Sequence, residues 1–278
     1  MRPVLFPAAM ADLFEMQTRY PDARLMAGGT DLLVHLRKAA PDARALICLE
    51  RVAELKTIQA QSGEIVVGAT APLAVVARHP LIERHCRLLA RAAATVGGPA
   101  IRNMATLGGN ICTASPAGDT LPALYLLGAR IDLATHRARR SVPIEAFISG
   151  PGRTVLAPGE LLTAIRIPAA DAFVIQHFEK VGRRNAMAIA VASLAALIRL
   201  DGDGRVAEAR LAWGSVGPCV VRCTAAEHRL VGEPLTAAAL CAAGEPVRQS
   251  VRPIDDIRAT ADYRRSLAAN LLLRIGTP

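Results

Sequence analysis

The first 170 residues alternate between two hydrophobic patterns. Met10, Leu13 and Phe14 form an approximate helical stripe, and residues 81–95 and 121–127 also carry apolar residues at helical spacing. Short apolar runs typical of strands occupy residues 23–27, 45–50, 64–69, 129–134 and 161–168. This part of the chain is therefore predicted to mix helices and strands.

The pattern changes near residue 172. Three apolar runs joined by glycine-containing turns predict an antiparallel meander, at residues 173–181, 186–200 and 205–216. Helical spacing then returns around residues 224–248 and 262–275. The predicted class is α+β: a mixed first domain, followed by an antiparallel sheet with helices packed on one face.

A stretch rich in Gly and Pro, residues 148–160, leads into the last strand of the first part. A cluster of glycine and proline residues of this kind suggests a domain boundary. We therefore predict one domain over residues 1–168 and a second over residues 172–278. The total of 278 residues suits two modest domains.

The composition describes a globular chain with an aliphatic core. Hydrophobic residues make up 52% and aromatic residues only 3%. The longest nearly apolar run, residues 186–198, is shorter than the roughly 20 residues of a membrane-spanning helix. The N-terminus has no apolar segment ending in a cleavage site. We therefore expect a soluble, cytoplasmic protein without a membrane span.

The chain is basic, with 33 Lys and Arg residues against 24 Asp and Glu. The only lysines are Lys38, Lys56 and Lys180, and the remaining basic residues are arginines spread along the chain. Nucleic-acid binding requires clustered charge interleaved with aromatic residues, so this class is disfavoured. An arginine-rich surface suits protein docking instead.

Six cysteines are scattered along the chain. None forms the C-x-x-C pair of zinc ribbons or iron–sulfur clusters, and Cys219 and Cys223 come nearest to it. We expect small buried thiols and no metal bound by this chain.

The first candidate for chemistry is AGGT, residues 27–30. A glycine pair lets backbone N–H groups converge on an anion, and Thr30 or Asp31 can cap a short helix behind it. A plain turn before a helix has the same sequence pattern, so this motif alone does not decide between the two.

The second candidate is TLGGNICTASPAGD, residues 106–119, which is predicted to be a loop. It combines backbone donors, hydroxyl groups, an amide and a carboxylate that could hold a sugar hydroxyl; these belong to Gly108, Gly109, Thr106, Thr113, Ser115, Asn110 and Asp119. Two such loops suit the two phosphates of a dinucleotide. A polar surface loop remains the alternative from composition.

Several common sites are absent from the sequence. There is no G-x-G-x-x-G after a strand, no G-K-[ST] and no G-x-S-x-G nucleophile motif near any of the six histidines. If the protein is an enzyme, the reactive atoms therefore belong to a cofactor.

Four motifs together resemble one family: AGGTDLL, IRNMATLGGNICTASPAGD, FEKVGRRNAMAIA and DDIRATADYRRSL. They resemble the FAD-binding medium subunit of the molybdenum hydroxylases, which include xanthine dehydrogenase, carbon monoxide dehydrogenase and hydroxybenzoyl-CoA reductase. The resemblance covers essentially the whole chain. It implies a vanillyl-alcohol-oxidase-type FAD-binding domain of two α/β subdomains, about 1–56 and 57–168, and a C-terminal α+β domain.

The resemblance also implies positions that contact FAD. The segment that follows the diphosphate comprises Met26, Ala27, Gly28, Gly29, Thr30, Asp31 and Leu32. The second part of the cradle comprises Thr106, Gly108, Gly109, Asn110 and Thr113. Asp119 corresponds to a position that holds the ribose or adenine end. Leu162 and Lys180 correspond to positions beside the flavin or the dinucleotide, although an exposed strand lysine also fits Lys180.

The sequence departs from the family in two places. Ala188 stands where relatives often have an acidic residue, which removes any polar contact expected from that position. The chain also lacks the cysteine-rich insert of hydroxybenzoyl-CoA reductase. A xanthine-dehydrogenase-like or aldehyde-oxidising complex is favoured.

The function implied by the resemblance is an electron relay within a larger complex. A large subunit holds the molybdenum cofactor, and a small subunit holds two-iron two-sulfur clusters. FAD in this chain then passes electrons to NAD or another acceptor. A free-standing flavin oxidase of the same wider fold is the alternative, and a nucleotide-binding scaffold without a redox role is a third interpretation.

Overall fold

A computed structural model describes residues 3–38 and 45–275 of the chain. Within these residues the strands form sheets of three, five and four strands and one two-stranded hairpin. Each of the three larger sheets carries its own helices. No helix in the described residues is both long enough and apolar enough to cross a membrane.

The N-terminal unit is a small parallel sheet. Its strands are β1 (Val4–Leu5), β2 (Arg24–Met26) and β3 (Leu46–Cys48), in the order β1-β3-β2. Helix α1 (Met10–Arg19) buries Leu13 against this sheet, and helix α2 (Leu32–Lys38) follows β2. Two 3₁₀ turns, Leu49–Arg51 and Ala53–Lys56, lead to the next unit.

The second unit is a five-stranded antiparallel sheet in the order β4-β5-β10-β6-β7. Its strands are β4 (Ile58–Gln61), β5 (Glu64–Gly68), β6 (Arg130–Ala134), β7 (Arg139–Pro143) and β10 (Leu161–Pro168); β8 (Ile148–Gly150) and β9 (Arg153–Thr154) form the separate hairpin. Its helices are α3 (Leu73–Val76), α4 (Pro80–His85), α5 (Arg87–Ala94), α6 (Pro99–Met104), α7 (Leu107–Thr113), α8 (Thr120–Leu126) and α9 (Ile144–Phe147).

The third unit is a four-stranded antiparallel meander. Its strands are β11 (Ile175–Val181), β12 (Ala192–Leu200), β13 (Val206–Gly214) and β14 (Val221–Arg222), in that order. Helices α10 (Thr224–Leu230), α11 (Ala237–Ser250) and α12 (Ala261–Asn270) follow, and the 3₁₀ turn Leu271–Arg274 ends the described chain.

The C-terminal sheet is covered on both faces, whereas we expected helices on one. Leu194 and Ile198 of β12 join the core formed with the C-terminal helices. Ala195 and Leu197, which alternate with them, join the core of the second unit beneath α5 and α8. The continuous apolar run of β12 is the sequence pattern of a strand buried on both sides.

Three local predictions differ from the structure. The helix expected over residues 81–95 is divided at Cys86, whose backbone is not helical. The strand expected over 186–200 begins only at Ala192, because the N–H of Val191 donates to the carbonyl oxygen of Val181 at 2.7 Å and closes residues 182–190 as a loop. The loop expected over 106–119 contains helix α7.

Candidate functional site

A cavity of about 530 Å³ lies where the three units meet. It is lined by residues of the β2–α2 connection, by the segments around α6 and α7, and by the 182–190 loop of the C-terminal unit. Its volume is in the range of ligand-binding pockets, roughly 300–1,000 Å³.

The β2–α2 connection supplies backbone donors to this cavity. Among the described residues, no group accepts a hydrogen bond from the N–H of Gly28, Gly29, Thr30 or Asp31. Gly29 adopts φ +70°, a conformation that favours glycine. Successive free N–H groups in such a bend form an anion-binding concavity.

Gly28 allows the two glycine-rich segments to touch. A Cβ atom at this position would lie 1.7 Å from the carbonyl oxygen of Met104, at the end of α6. Only a residue without a side chain permits this approach. The two segments that the sequence analysis identified therefore line one cavity.

The second segment contributes differently from our prediction. The hydroxyl of Thr106 caps α7 by accepting from the N–H of Gly109 at 3.1 Å, and its carbonyl accepts from the N–H of Asn110 at 3.0 Å. These donors are engaged within the protein. The β2–α2 connection therefore offers free backbone N–H groups to the cavity, whereas the N–H groups of residues 108–109, where a second backbone cradle was predicted, already have acceptors within the chain.

Gly108 has a packing role instead. Its N–H donates to the carbonyl oxygen of Ala69 at 2.9 Å. A Cβ atom at Gly108 would lie 2.6 Å from the same oxygen. Gly108 therefore seats α7 against the end of β5, and it is not among the described residues that line the cavity.

The side chains of α7 do face the cavity. Thr113 donates to the Asp31 carboxylate at 3.1 Å, which ties α7 to the β2–α2 connection. Asn110 accepts from the Thr120 hydroxyl through Oδ1 at 2.6 Å. The Nδ2 donors of Asn110 have no acceptor among the described residues, so they are available to a ligand.

A buried ion pair lies at the wall of the cavity. Lys180 of β11 donates to Asp119 Oδ2 at 2.5 Å and to the carbonyl oxygen of Thr95 at 3.0 Å, and both charged side chains are less than a tenth exposed. Asp119 lines the cavity, and its buried Oδ1 has no donor among the described residues. Burial raises the pKa of Asp119 to about 6, although Lys180 acts in the opposite direction.

The other side of the cavity is apolar. Its lining includes Val96, Gly97 and Ile101 of the second unit and Met187, Ala188 and Ile189 of the 182–190 loop. Met187 adopts φ +54° and packs toward Gly98. The cavity therefore combines an anion-binding edge with an apolar side that suits a flat ring.

Cys112 of α7 also lines the cavity. Burial raises the pKa of its thiol to about 12. The group therefore remains protonated near neutral pH and behaves as a small apolar side chain.

The cavity collects all of the sequence-predicted site residues except three. Gly108, Leu162 and Lys180 are not among the described lining residues. Leu162 is buried in β10 opposite Leu133, within the hydrophobic core. Lys180 reaches the cavity wall through Asp119.

Sequence reasoning singled out only Ala188 among the residues of the apolar side. Ile101, Met187 and Ile189 also lie within motifs quoted for the resemblance, and Val96 and Gly97 lie shortly before the motif that begins at Ile101. Their apolar character resembles that of core residues, so the sequence signal was their position within these motifs. Their exposure beside the cavity is a tertiary property.

The residues present fit a flavin dinucleotide. The glycine-lined bend offers four free N–H groups, the buried Asp119 Oδ1 can accept a sugar hydroxyl, and the apolar side can cover a ring. The fold and this cavity together define a two-domain FAD-binding chain.

Comparisons with known proteins identify the family. The model of the FAD-binding domain in molybdopterin dehydrogenase matches residues 1–170, and that of the CO dehydrogenase flavoprotein C-terminal domain matches residues 176–277. The chain therefore belongs to the FAD-binding medium subunits of the molybdenum hydroxylases, and it is an oxidoreductase component with FAD as its cofactor. The resemblance found in the sequence, and the fold class that it implied, are confirmed.

Individual relatives match over nearly the full length. The putative xanthine dehydrogenase FAD-binding subunit of Escherichia coli (strain K12) is 34% identical over 96% of this chain and 92% of its own length. The carbon monoxide dehydrogenase medium chain of Hydrogenophaga pseudoflava is 32% identical over 91% of this chain and 88% of its own length. The solved quinoline 2-oxidoreductase of Pseudomonas putida 86 gives a TM-score of 0.94 at 29% identity, over 99% and 95% of the two chains.

Proposed function

We propose that this chain relays electrons within a xanthine-dehydrogenase-like complex. It would receive them from the two-iron two-sulfur clusters of a small partner subunit, and its residues would hold the FAD that supplies transfer to NAD or another acceptor. The substrate is oxidised at the molybdenum cofactor of a large partner subunit. The observation that carries this proposal is one cavity with both a phosphate-binding bend and an apolar side, in a chain of the medium-subunit family.

The identities of the relatives support a relay that does not meet the substrate. Relatives named for xanthine, nicotinate and carbon monoxide are 34%, 33% and 32% identical to this chain. Carbon monoxide has little chemistry in common with xanthine and nicotinate, which are nitrogen heterocycles. A chain that handles only electrons is free to serve all three kinds of complex.

The residues of this chain bind and orient the cofactor. The N–H groups of residues 28–31 hold the diphosphate, and the Asn110 amide donates beside them. Asp119, held by Lys180, accepts a hydroxyl of the sugar region. When bound, FAD supplies the two-electron chemistry. Met187 and Ile189 cover the ring and exclude water from it.

The purified native complex tests this function. We expect the substrate of the complex, added without oxygen, to bleach the visible absorbance of the oxidised flavin. The isolated FAD-loaded chain should remain yellow with the same substrate, because the molybdenum centre is missing. Bleaching of the isolated chain would instead indicate a free-standing oxidase.

A pH titration of FAD binding tests the role of Asp119. The ionised carboxylate accepts a hydrogen bond more strongly than the protonated acid does. The pKa of Asp119 is about 6 in the folded chain, so FAD affinity should rise as pH increases through about 6 and level off above it. The Asp119→Asn variant should bind weakly with no step near pH 6. An unchanged step in that variant would assign the titration to another group.

A further inference from the structure

The C-terminal motif DDIRATADYRRSL surrounds a buried guanidinium. Arg264 of α12 is only 3% exposed. Its Nη1 donates to the carbonyl oxygens of Val191 at 2.7 Å and Ser215 at 3.1 Å, and its Nη2 donates to Asp256 Oδ1 at 2.7 Å. One side chain therefore joins three separate segments.

Asp256 fixes the position of this guanidinium. Its Oδ1 accepts from the backbone N–H groups of Arg258 at 2.8 Å and Ala259 at 3.2 Å, and its Oδ2 accepts from the Arg258 guanidinium at 2.9 Å. The backbone N–H of Arg258, followed by the Arg264 and Arg258 side chains, holds the pKa of Asp256 far below its usual range. The carboxylate is thus ionised over the whole working range of pH.

The two carbonyls bound by Arg264 belong to segments that form the cavity wall. Val191 ends the loop that carries Met187 and Ile189. Ser215 donates its own N–H to the carbonyl oxygen of Pro116 at 2.9 Å, and Pro116 directly precedes the lining residues 117–119. Arg264 therefore bonds to Val191, two positions after the lining residue Ile189, and it reaches the segment that carries residues 117–119 through Ser215 and Pro116.

Two further observations concern the same segments: a strained backbone at Ser215 and an additional hydrogen bond from Arg183. Ser215 adopts φ +64°, which costs a non-glycine residue energy unless its surroundings hold it. Its N–H and its carbonyl are both bonded, to Pro116 and Arg264. Arg183 also donates to the carbonyl oxygen of Ile257 at 3.0 Å, which ties the start of the 182–190 loop to the segment that carries Asp256.

We propose that the Asp256–Arg264 pair is a positioning device that sets the separation of the residue 187–191 wall and the residue 116–119 wall. The proposal rests on FAD occupying this cavity. The planar guanidinium has donors in a fixed arrangement, so it determines the spacing of the Val191 and Ser215 carbonyls, which a flexible ammonium group cannot do. Arg264 acts on the cofactor only through these backbone segments.

Substitution of Arg264 in the full chain tests this proposal. We expect Arg264→Met and Arg264→Lys each to weaken FAD binding by about tenfold or more and to change the visible circular dichroism of bound flavin, because small displacements of binding groups have large effects. The matched control is Arg265→Met on the same helix, whose partner Asp262 is 93% exposed. This control should bind FAD within about twofold of the wild-type chain.

A second variant separates positioning from general stability. Trp213→Phe removes the hydrogen bond from Nε1 to the Ala268 carbonyl at 2.9 Å, which also holds α12, and Trp213 is not among the described residues that line the cavity. It should lower the unfolding temperature yet retain FAD affinity and the flavin spectrum. If Trp213→Phe lost FAD as Arg264→Lys does at equal stability, or if both Arg264 variants matched the wild type, the proposal would be overturned.

If Arg264→Met does not fold, Asp256→Asn provides a second variant that tests the same proposal. It leaves the guanidinium in place but weakens its anchor, and we expect reduced FAD affinity with an altered flavin spectrum. Wild-type affinity and spectrum in this variant would also contradict the proposal. Failure of the wild-type chain itself to bind FAD would instead refute the assignment of the cavity, so the two failures are distinguishable.

Discussion

Replacement of Gly28 by alanine should severely weaken FAD binding. The added Cβ would lie 1.7 Å from the carbonyl oxygen of Met104, and this obstacle is backbone, not the end of a flexible side chain. The β2–α2 connection must therefore move away from α6 by an ångström or more. A displacement of that size in a binding group is expected to cost about 100-fold in affinity, measured by flavin fluorescence titration.

Gly202→Ala provides the matched control. Gly202 lies in the turn between β12 and β13, and a Cβ atom there would meet nothing within 4 Å. This variant should bind FAD like the wild-type chain and unfold within about 0.5 kcal/mol of it. Gly28→Ala should also lose about 1–3 kcal/mol of unfolding free energy through overpacking. Undiminished FAD binding in Gly28→Ala would disprove the proposed diphosphate site.

Asp119→Ala should give a folded but flavin-free chain of reduced stability. The substitution removes the proposed acceptor for the sugar hydroxyl, and it leaves the ammonium group of Lys180 buried without its counterion. Breaking a buried pair at one partner costs about 3–5 kcal/mol. Denaturant unfolding measures this loss, and the ratio of flavin to protein absorbance measures retention of FAD.

A double variant separates the two effects of Asp119. Asp119→Leu combined with Lys180→Met replaces the buried pair by apolar side chains, so most of the lost stability should return while FAD remains absent. Glu208→Ala, which breaks the more exposed pairs with Arg199 and Arg210, should cost about 1 kcal/mol or less and leave FAD bound. If Asp119→Ala purified with full flavin, Asp119 would have no role in holding the cofactor.

The Asp119–Lys180 contact illustrates what the sequence could not provide. The two residues are 61 positions apart and belong to different domains. The sequence indicated each residue separately through its own motif, and an exposed strand lysine was equally compatible with Lys180. Their pairing follows from the packing of β11 beside α5 and of the neighbouring strand β12 beside α8, which brings Lys180 to Asp119 at the start of α8.

The glycines of the second segment show a different limit. The sequence TLGG is compatible with a phosphate-binding loop and with a capped helix. The helix forms because the Thr106 hydroxyl accepts from the N–H of Gly109 and the Ala69 carbonyl oxygen accepts from the N–H of Gly108. A phosphate would otherwise have used these N–H groups. Such competition between partners depends on distances that no spacing in the sequence specifies.

The sequence by itself determined the family, the α+β class and about half of the residues that line the cavity. These properties depend on local patterns: hydrophobic periodicity, glycine pairs and four motifs in order. Only the tertiary structure decided which amides remain free, that Lys180 pairs with Asp119, and that Arg264 of α12 bonds to the carbonyl oxygens of Val191 and Ser215. The physical reason is that hydrogen-bond satisfaction and burial are set by segments distant in sequence that meet only when the chain folds.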